Sequence, residues 1–69
     1  MVIRVDWVNV GHKLYHVYEA SDYFVEPSDS TESQVRLVLD NGKHDMLLSG
    51  GDVAWIMNND GKTIDTIRT

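Results

Sequence analysis

Hydrophobic and polar positions alternate with a period of two over most of this chain, and the alternation breaks at Gly, Asn and Asp. In residues 2–10, Ile3, Val5 and Trp7 alternate with Arg4 and Asp6, as in a strand with one buried face. Gly11-His12 reads as a turn. A second run, residues 14–20, contains Tyr15, Val17 and Tyr18. It extends through Tyr23, Phe24 and Val25 after a break at Ser21-Asp22, and Pro27 ends it. Val35, Leu37 and Leu39 alternate with Arg36 and Asp40. Asn41-Gly42 follows at once and predicts a type I′ hairpin turn, in which both central residues need positive φ. The returning strand places Met46 and Leu48 on one face. After the Ser49-Gly50-Gly51-Asp52 turn, Val53, Trp55 and Met57 alternate with Ala54 and Ile56. A turn at residues 58–61 leads to the closing strand with Ile64 and Ile67.

These runs predict an all-β fold of five or six antiparallel strands in a meander. In 69 residues this means a small bent sheet or a partly closed SH3-like barrel, and closure would remove exposed edges. Residues 27–33 read as a polar loop, and the alternative is a short helical turn at 28–34 packed on one sheet face. The length accommodates one domain, residues 1–69, whose chain buries only about 60% of its unfolded surface. With no cysteine, neither a disulfide nor a thiolate metal site supplements that thin core.

Composition narrows the function classes. A hydrophobic share of 42% with 25% charged residues describes a folded chain. No apolar run approaches the roughly 18 residues of a membrane span. The mixed N-terminus is neither a signal nor a transit peptide, so the expected location is the cytoplasm of the cell that makes the protein. The net charge of −5 disfavours direct nucleic-acid binding, which requires a basic patch.

That charge is concentrated. Glu19, Asp22, Glu26, Asp29 and Glu32 lie within fourteen positions, with no Lys or Arg between Lys13 and Arg36, and the other six acids balance the six bases. A solvated loop is the plain reading. The functional one is an acidic, aromatic surface (Glu19, Asp22, Tyr23, Glu26, Asp29 and Glu32) that docks a basic or nucleic-acid-binding protein with long-range attraction. Tyr15 and Tyr18, three apart, fall on opposite faces of a strand, so one of them joins Tyr23 or Phe24 beside the acids. Trp7 and Trp55 share a parity with aliphatic neighbours and read as core.

Catalytic and metal chemistry find little support. His12 and His16 on one strand face stand about 13 Å apart, too far for one ion. His44 could approach His16 only across a sheet. Aligning Gly61 with the sixth position of a calcium loop places Ile56 and Ile67 where acids belong. Gly50-Gly51 lacks the Lys-Ser/Thr and the helix of a phosphate loop. No nucleophile motif is present, so the chain reads as a non-enzyme without metal or cofactor.

The residues from Gly51 to Ile64, GDVAWIMNNDGKTI, resemble the closing hairpin of small acidic accessory proteins of bacteriophages and mobile elements, as does the small, acidic, cysteine-free make-up. The resemblance covers the C-terminal hairpin and transfers no site residue. It implies a protein that inhibits a host nucleic-acid-handling or defence system, CRISPR machinery included, in some cases by imitating DNA. Two alternatives remain. A self-associating structural module would pair through an edge strand, the first or the last, burying Val2, Val8 or Val10. A barrel binding single-stranded nucleic acid would use its tyrosines, with Arg4, Lys13, Arg36, Lys43 and Lys62 on one face.

Overall fold

The computed structural model describes residues 1–9, 12–27 and 34–69. Among these residues seven strands form: β1 (Val2–Asn9), β2 (His12–Glu19), β3 (Tyr23–Pro27), β4 (Val35–Leu39), β5 (His44–Leu48), β6 (Val53–Met57) and β7 (Thr63–Arg68). The all-β, antiparallel expectation holds. The strands make two sheets, one in the order β2-β1-β6-β7 and one in the order β3-β4-β5. The helical turn expected at 28–34 falls on residues 28–33, outside the described ones.

Two details of the predicted topology change. There are seven strands rather than five or six, because the run from Leu14 to Val25 is two strands in different sheets. Ala20 is buried where the chain crosses between them. The strands also do not follow a single meander, because β1 pairs with both β2 and β6. β1 is therefore interior and has no free edge. The self-association reading, which drew on the first or the last strand, loses the first and keeps β7 as an edge: Val2 is half-buried, Val8 is exposed, and Val10 lies outside the described residues. His12 belongs to β2 rather than to a turn.

One apolar cluster joins the sheets. Ile3, Val5, Ala54, Ile56 and Ile67 from the four-stranded sheet meet Leu37, Leu39 and Leu48 from the other, with Ala20 at the crossover. The inward parity of β1 and β4 is the one their alternation predicts. Trp7 packs against this cluster, but Trp55 does not belong to it. The cause is register. Ile3 pairs with Ile56 and Val5 with Ala54, so Trp55 must share the outer face of Arg4, its own partner. On β6 both faces are apolar, and only the pairing with β1 decides which one is core.

Side chains also tie the two edges of the sandwich. On one side the Tyr18 ring of β2 lies 5.1 Å from the His44 ring of β5. On the other the Tyr23 hydroxyl of β3 donates to Asp65 Oδ2 of β7 at 2.9 Å. Desolvation, then the hydrogen bond to Asp65 and its negative charge, hold the Tyr23 phenol above its ordinary range. A raised folded-state value stabilises the fold while the phenol is protonated, and that contribution is lost as pH rises through it. The thermal midpoint of wild type should therefore exceed that of Tyr23→Phe at pH 7, and the gap should close above about pH 10. A gap unchanged from pH 7 to pH 11 in thermal melts would count against the bond.

The turns follow their sequence signals. Asn41 (φ 54°, ψ 39°) and Gly42 (φ 101°) take the positive φ expected of Asn-Gly, within the short 3₁₀ turn Asp40–Gly42. Asn58 Oδ1 accepts from the backbone N–H of Asp60 and of Lys62, and Gly61 turns at φ 82°.

The crossover between β2 and β3 is fastened to the β4–β5 turn. Asp40 Oδ1 accepts from the Ser21 N–H at 2.7 Å and from the Ser21 hydroxyl at 2.8 Å. Asp22 Oδ1 in turn accepts from the Asn41 N–H. The two Ser21 bonds, backbone first, hold the Asp40 carboxyl below its usual range.

Candidate functional site

The acidic residues singled out above do not share one face. Glu19 ends β2 on the outer face of the four-stranded sheet, opposite Val2. Asp22 lies in the crossover and is occupied with the Asn41 amide. Glu26 projects from the outer face of the three-stranded sheet, the other side of the sandwich, because its parity is opposite to the core residue Leu37. There Arg36 N–H donates to Glu26 Oε1 at 2.9 Å, and the same guanidinium forks onto both carboxylate oxygens of Asp45. Arg36 holds the Asp45 carboxyl below its ordinary range, chiefly by these hydrogen bonds. Tyr23 points inward to Asp65. Asp29 and Glu32 lie outside the described residues.

A different constellation forms on the outer face of the four-stranded sheet. Odd positions of β2 and β6 and even positions of β1 line up there in rows: Glu19, Val2 and Met57; then Val17, Arg4 and Trp55; then Tyr15, Asp6 and Val53. Thr66 and Arg68 of β7 extend the last two rows. The Arg4 guanidinium carbon lies 4.4 Å from the Tyr15 ring centroid and 5.8 Å from that of Trp55. Its Nε donates to Asp6 Oδ1 at 2.8 Å, which fixes the guanidinium plane between the rings. A cation so placed is attracted by the negative faces of both rings. Tyr15 is 61% exposed, Val17 58% and Val8 62%, and Trp55 is half-buried.

This face collects a Trp, a Tyr and an Arg among exposed valines, the residue types enriched at the centres of protein interfaces. The sequence reading missed it because Trp55 was placed in the core. The available signal was Arg4, an isolated base in an apolar strand, together with the fact that both parities of β6 are hydrophobic.

Asp52, 6% exposed, accepts from the Val8 N–H at 2.7 Å and from the Ser49 N–H at 3.0 Å. Two of the histidines, His16 and His44, flank the Tyr18 ring at 6.3 Å and 5.1 Å. Among the described residues no group of three or more His, Cys, Asp or Glu is placed to hold a metal ion, and no helix is long and apolar enough to cross a membrane.

Fold and face together describe a small antiparallel two-sheet protein with an aromatic–arginine patch on its larger sheet. Comparison with family models, curated proteins and solved structures finds no match to this chain.

Proposed function

We propose that this chain is a non-catalytic protein-binding module whose contact surface is the outer face of the four-stranded sheet. The observation that carries the reading is Arg4 held between the Tyr15 and Trp55 rings on an exposed sheet face, beside the exposed Val17. Such a patch buries aromatic area on contact and offers the guanidinium's outward N–H groups to a partner's carboxylate or carbonyl oxygens. Among the described residues of the predicted acidic surface, Glu19 lies at the end of the same face and takes part. The non-catalytic half of the reading draws on five carboxylates that hold turns and strands: Asp40 with Ser21, Asp45 and Glu26 with Arg36, Asp52 with two backbone amides, and Asp65 with Tyr23.

The resemblance of the C-terminal hairpin to bacteriophage and mobile-element accessory proteins makes the partner a protein of the host cell. It is one that handles nucleic acid or serves defence, and this chain acts on it as an inhibitor in the cytoplasm.

A photo-reactive phenylalanine analogue at Val17, on this face, and at Phe24, on the opposite face, tests the proposal in bacterial cells. We expect adducts with a cellular protein from position 17, none from position 24, and at least about a tenfold loss of the former with Arg4→Glu, which costs more than one hot-spot contact. Circular dichroism checks that the fold is kept. Adducts that form equally from both positions, or that ignore Arg4→Glu, would overturn it.

A further inference from the structure

Among the described residues β2 pairs with β1 alone, and its other edge is built differently from the other sheet edges. β3 ends in Pro27 and carries Glu26, β5 carries Asp45, and β7 carries Asp65 and Arg68. Charges and proline at an edge discourage pairing with another chain. β2 is eight residues long and exposes Leu14, Tyr15 and Val17. Its formal charges are confined to its ends, at Lys13 and Glu19.

Hydrogen-bond parity then restricts what can pair with it. Met1 and Ala20 exchange both of their backbone hydrogen bonds, at 2.9 Å and 3.0 Å. In an antiparallel ladder such exchanging pairs alternate with non-exchanging ones. Counting back along the β1–β2 register, Tyr18, His16, Leu14 and His12 point their N–H and C=O groups at β1. Lys13, Tyr15, Val17 and Glu19 therefore point theirs out of the sheet.

We infer that this edge pairs with the β2 edge of a second copy of the chain, antiparallel about a two-fold axis at His16. A two-fold pairing must match outward-pointing residues with one another, which allows registers centred on Tyr15, His16 or Val17. Centring on Tyr15 sets Lys13 against Val17 and leaves Glu19 beyond the ladder. Centring on Val17 sets Tyr15 against Glu19 and leaves Lys13 over. Centring on His16 sets Lys13 against the partner copy's Glu19 twice, Tyr15 against Val17 twice and Leu14 against Tyr18 twice. Opposite charges and aromatic–aliphatic pairs directly across a ladder are the favourable combinations. The result is one continuous eight-stranded sheet, self-complementary as a two-fold interface must be. Its outer face joins the two Arg4–Tyr15–Trp55 clusters. The inference rests on the backbone edge and does not depend on the binding function proposed above.

Sedimentation equilibrium over a concentration series gives the first test. Wild type should show a reversible monomer–dimer equilibrium. Glu19→Lys, which opposes like charges at both ends, should raise its dissociation constant about tenfold, and the swap Lys13→Glu with Glu19→Lys should restore it. The second test fixes the register in this cysteine-free chain. His16→Cys meets its own copy at a close, non-hydrogen-bonded position and should oxidise to a disulfide dimer with copper–phenanthroline, two thiols giving up two electrons and two protons to the oxidant. Thr66→Cys on the opposite edge should stay monomeric. A strict monomer at millimolar concentration, a charge swap without rescue, or equal cross-linking from both positions would overturn the inference. An adduct at Val17 to a foreign protein alone, with a monomeric chain, would leave the function standing and remove the dimer.

Discussion

Ile56→Ala is expected to leave little folded protein at 37 °C. Ile56 is fully buried, pairs with Ile3 in the central ladder of the larger sheet and belongs to the cluster that contains Leu37, Leu39 and Leu48. Removing its outer carbons loses their transfer free energy and leaves a cavity, together about 2–5 kcal/mol. By per-residue scaling a 69-residue domain has roughly 3–10 kcal/mol in all. The core has one apolar layer between two sheets and no disulfide, so nothing else compensates. Ile56→Val, which removes a single methylene, should cost about 1 kcal/mol. Urea unfolding followed by tryptophan fluorescence measures both. A loss below about 1 kcal/mol for Ile56→Ala would mean that the two sheets do not share one core.

Asp52→Ala is expected to cost about 2–4 kcal/mol, more than any exposed acid. β1 continues past the end of its ladder with β6, which closes at Asp6 and Val53, and the Val8 N–H would be left without a strand partner. Asp52 Oδ1 supplies one, while Oδ2 caps the Ser49 N–H and the Asp52 carbonyl accepts from both the N–H and the hydroxyl of Thr69. The side chain thus joins the crossover from the smaller sheet to the end of β1, while the backbone carbonyl of the same residue holds Thr69. Each amide deprived of its acceptor carries a desolvation penalty of about 1–3 kcal/mol. Native-state hydrogen exchange should show the Val8 amide losing its protection in Asp52→Ala, and Ile56 keeping its own. Unchanged exchange at Val8 would sink this account.

Much of the secondary structure was legible because its causes are local. The parity of Ile3, Val5, Leu37, Leu39 and Leu48 follows from a two-residue period, and Asn41-Gly42 and Gly61 turn where positive φ is needed. The break at Ser21-Asp22 was visible, but not that it divides two sheets, since that depends on Ser21 and Asp22 meeting the distant Asp40–Asn41 turn. The acidic run was legible as composition and misleading as geometry. Contiguity in sequence says nothing of side, and the crossover sends Glu19 and Glu26 to opposite faces of the sandwich. The candidate face was illegible for the complementary reason. Arg4, Tyr15 and Trp55 come from three strands, and only the pairing of β1 with both β2 and β6 brings them together.

The sequence by itself determined that this chain is antiparallel β, where most of its strands run and which of their faces turn inward wherever polar residues mark the other. Each of these depends on neighbours one or two positions apart. Tertiary structure alone decided which strand is interior and which is an edge, which side of the all-apolar β6 is core, and where the charge lies. Those choices are made by pairing between residues some fifty positions apart, such as Ile3 with Ile56, and no local period encodes them.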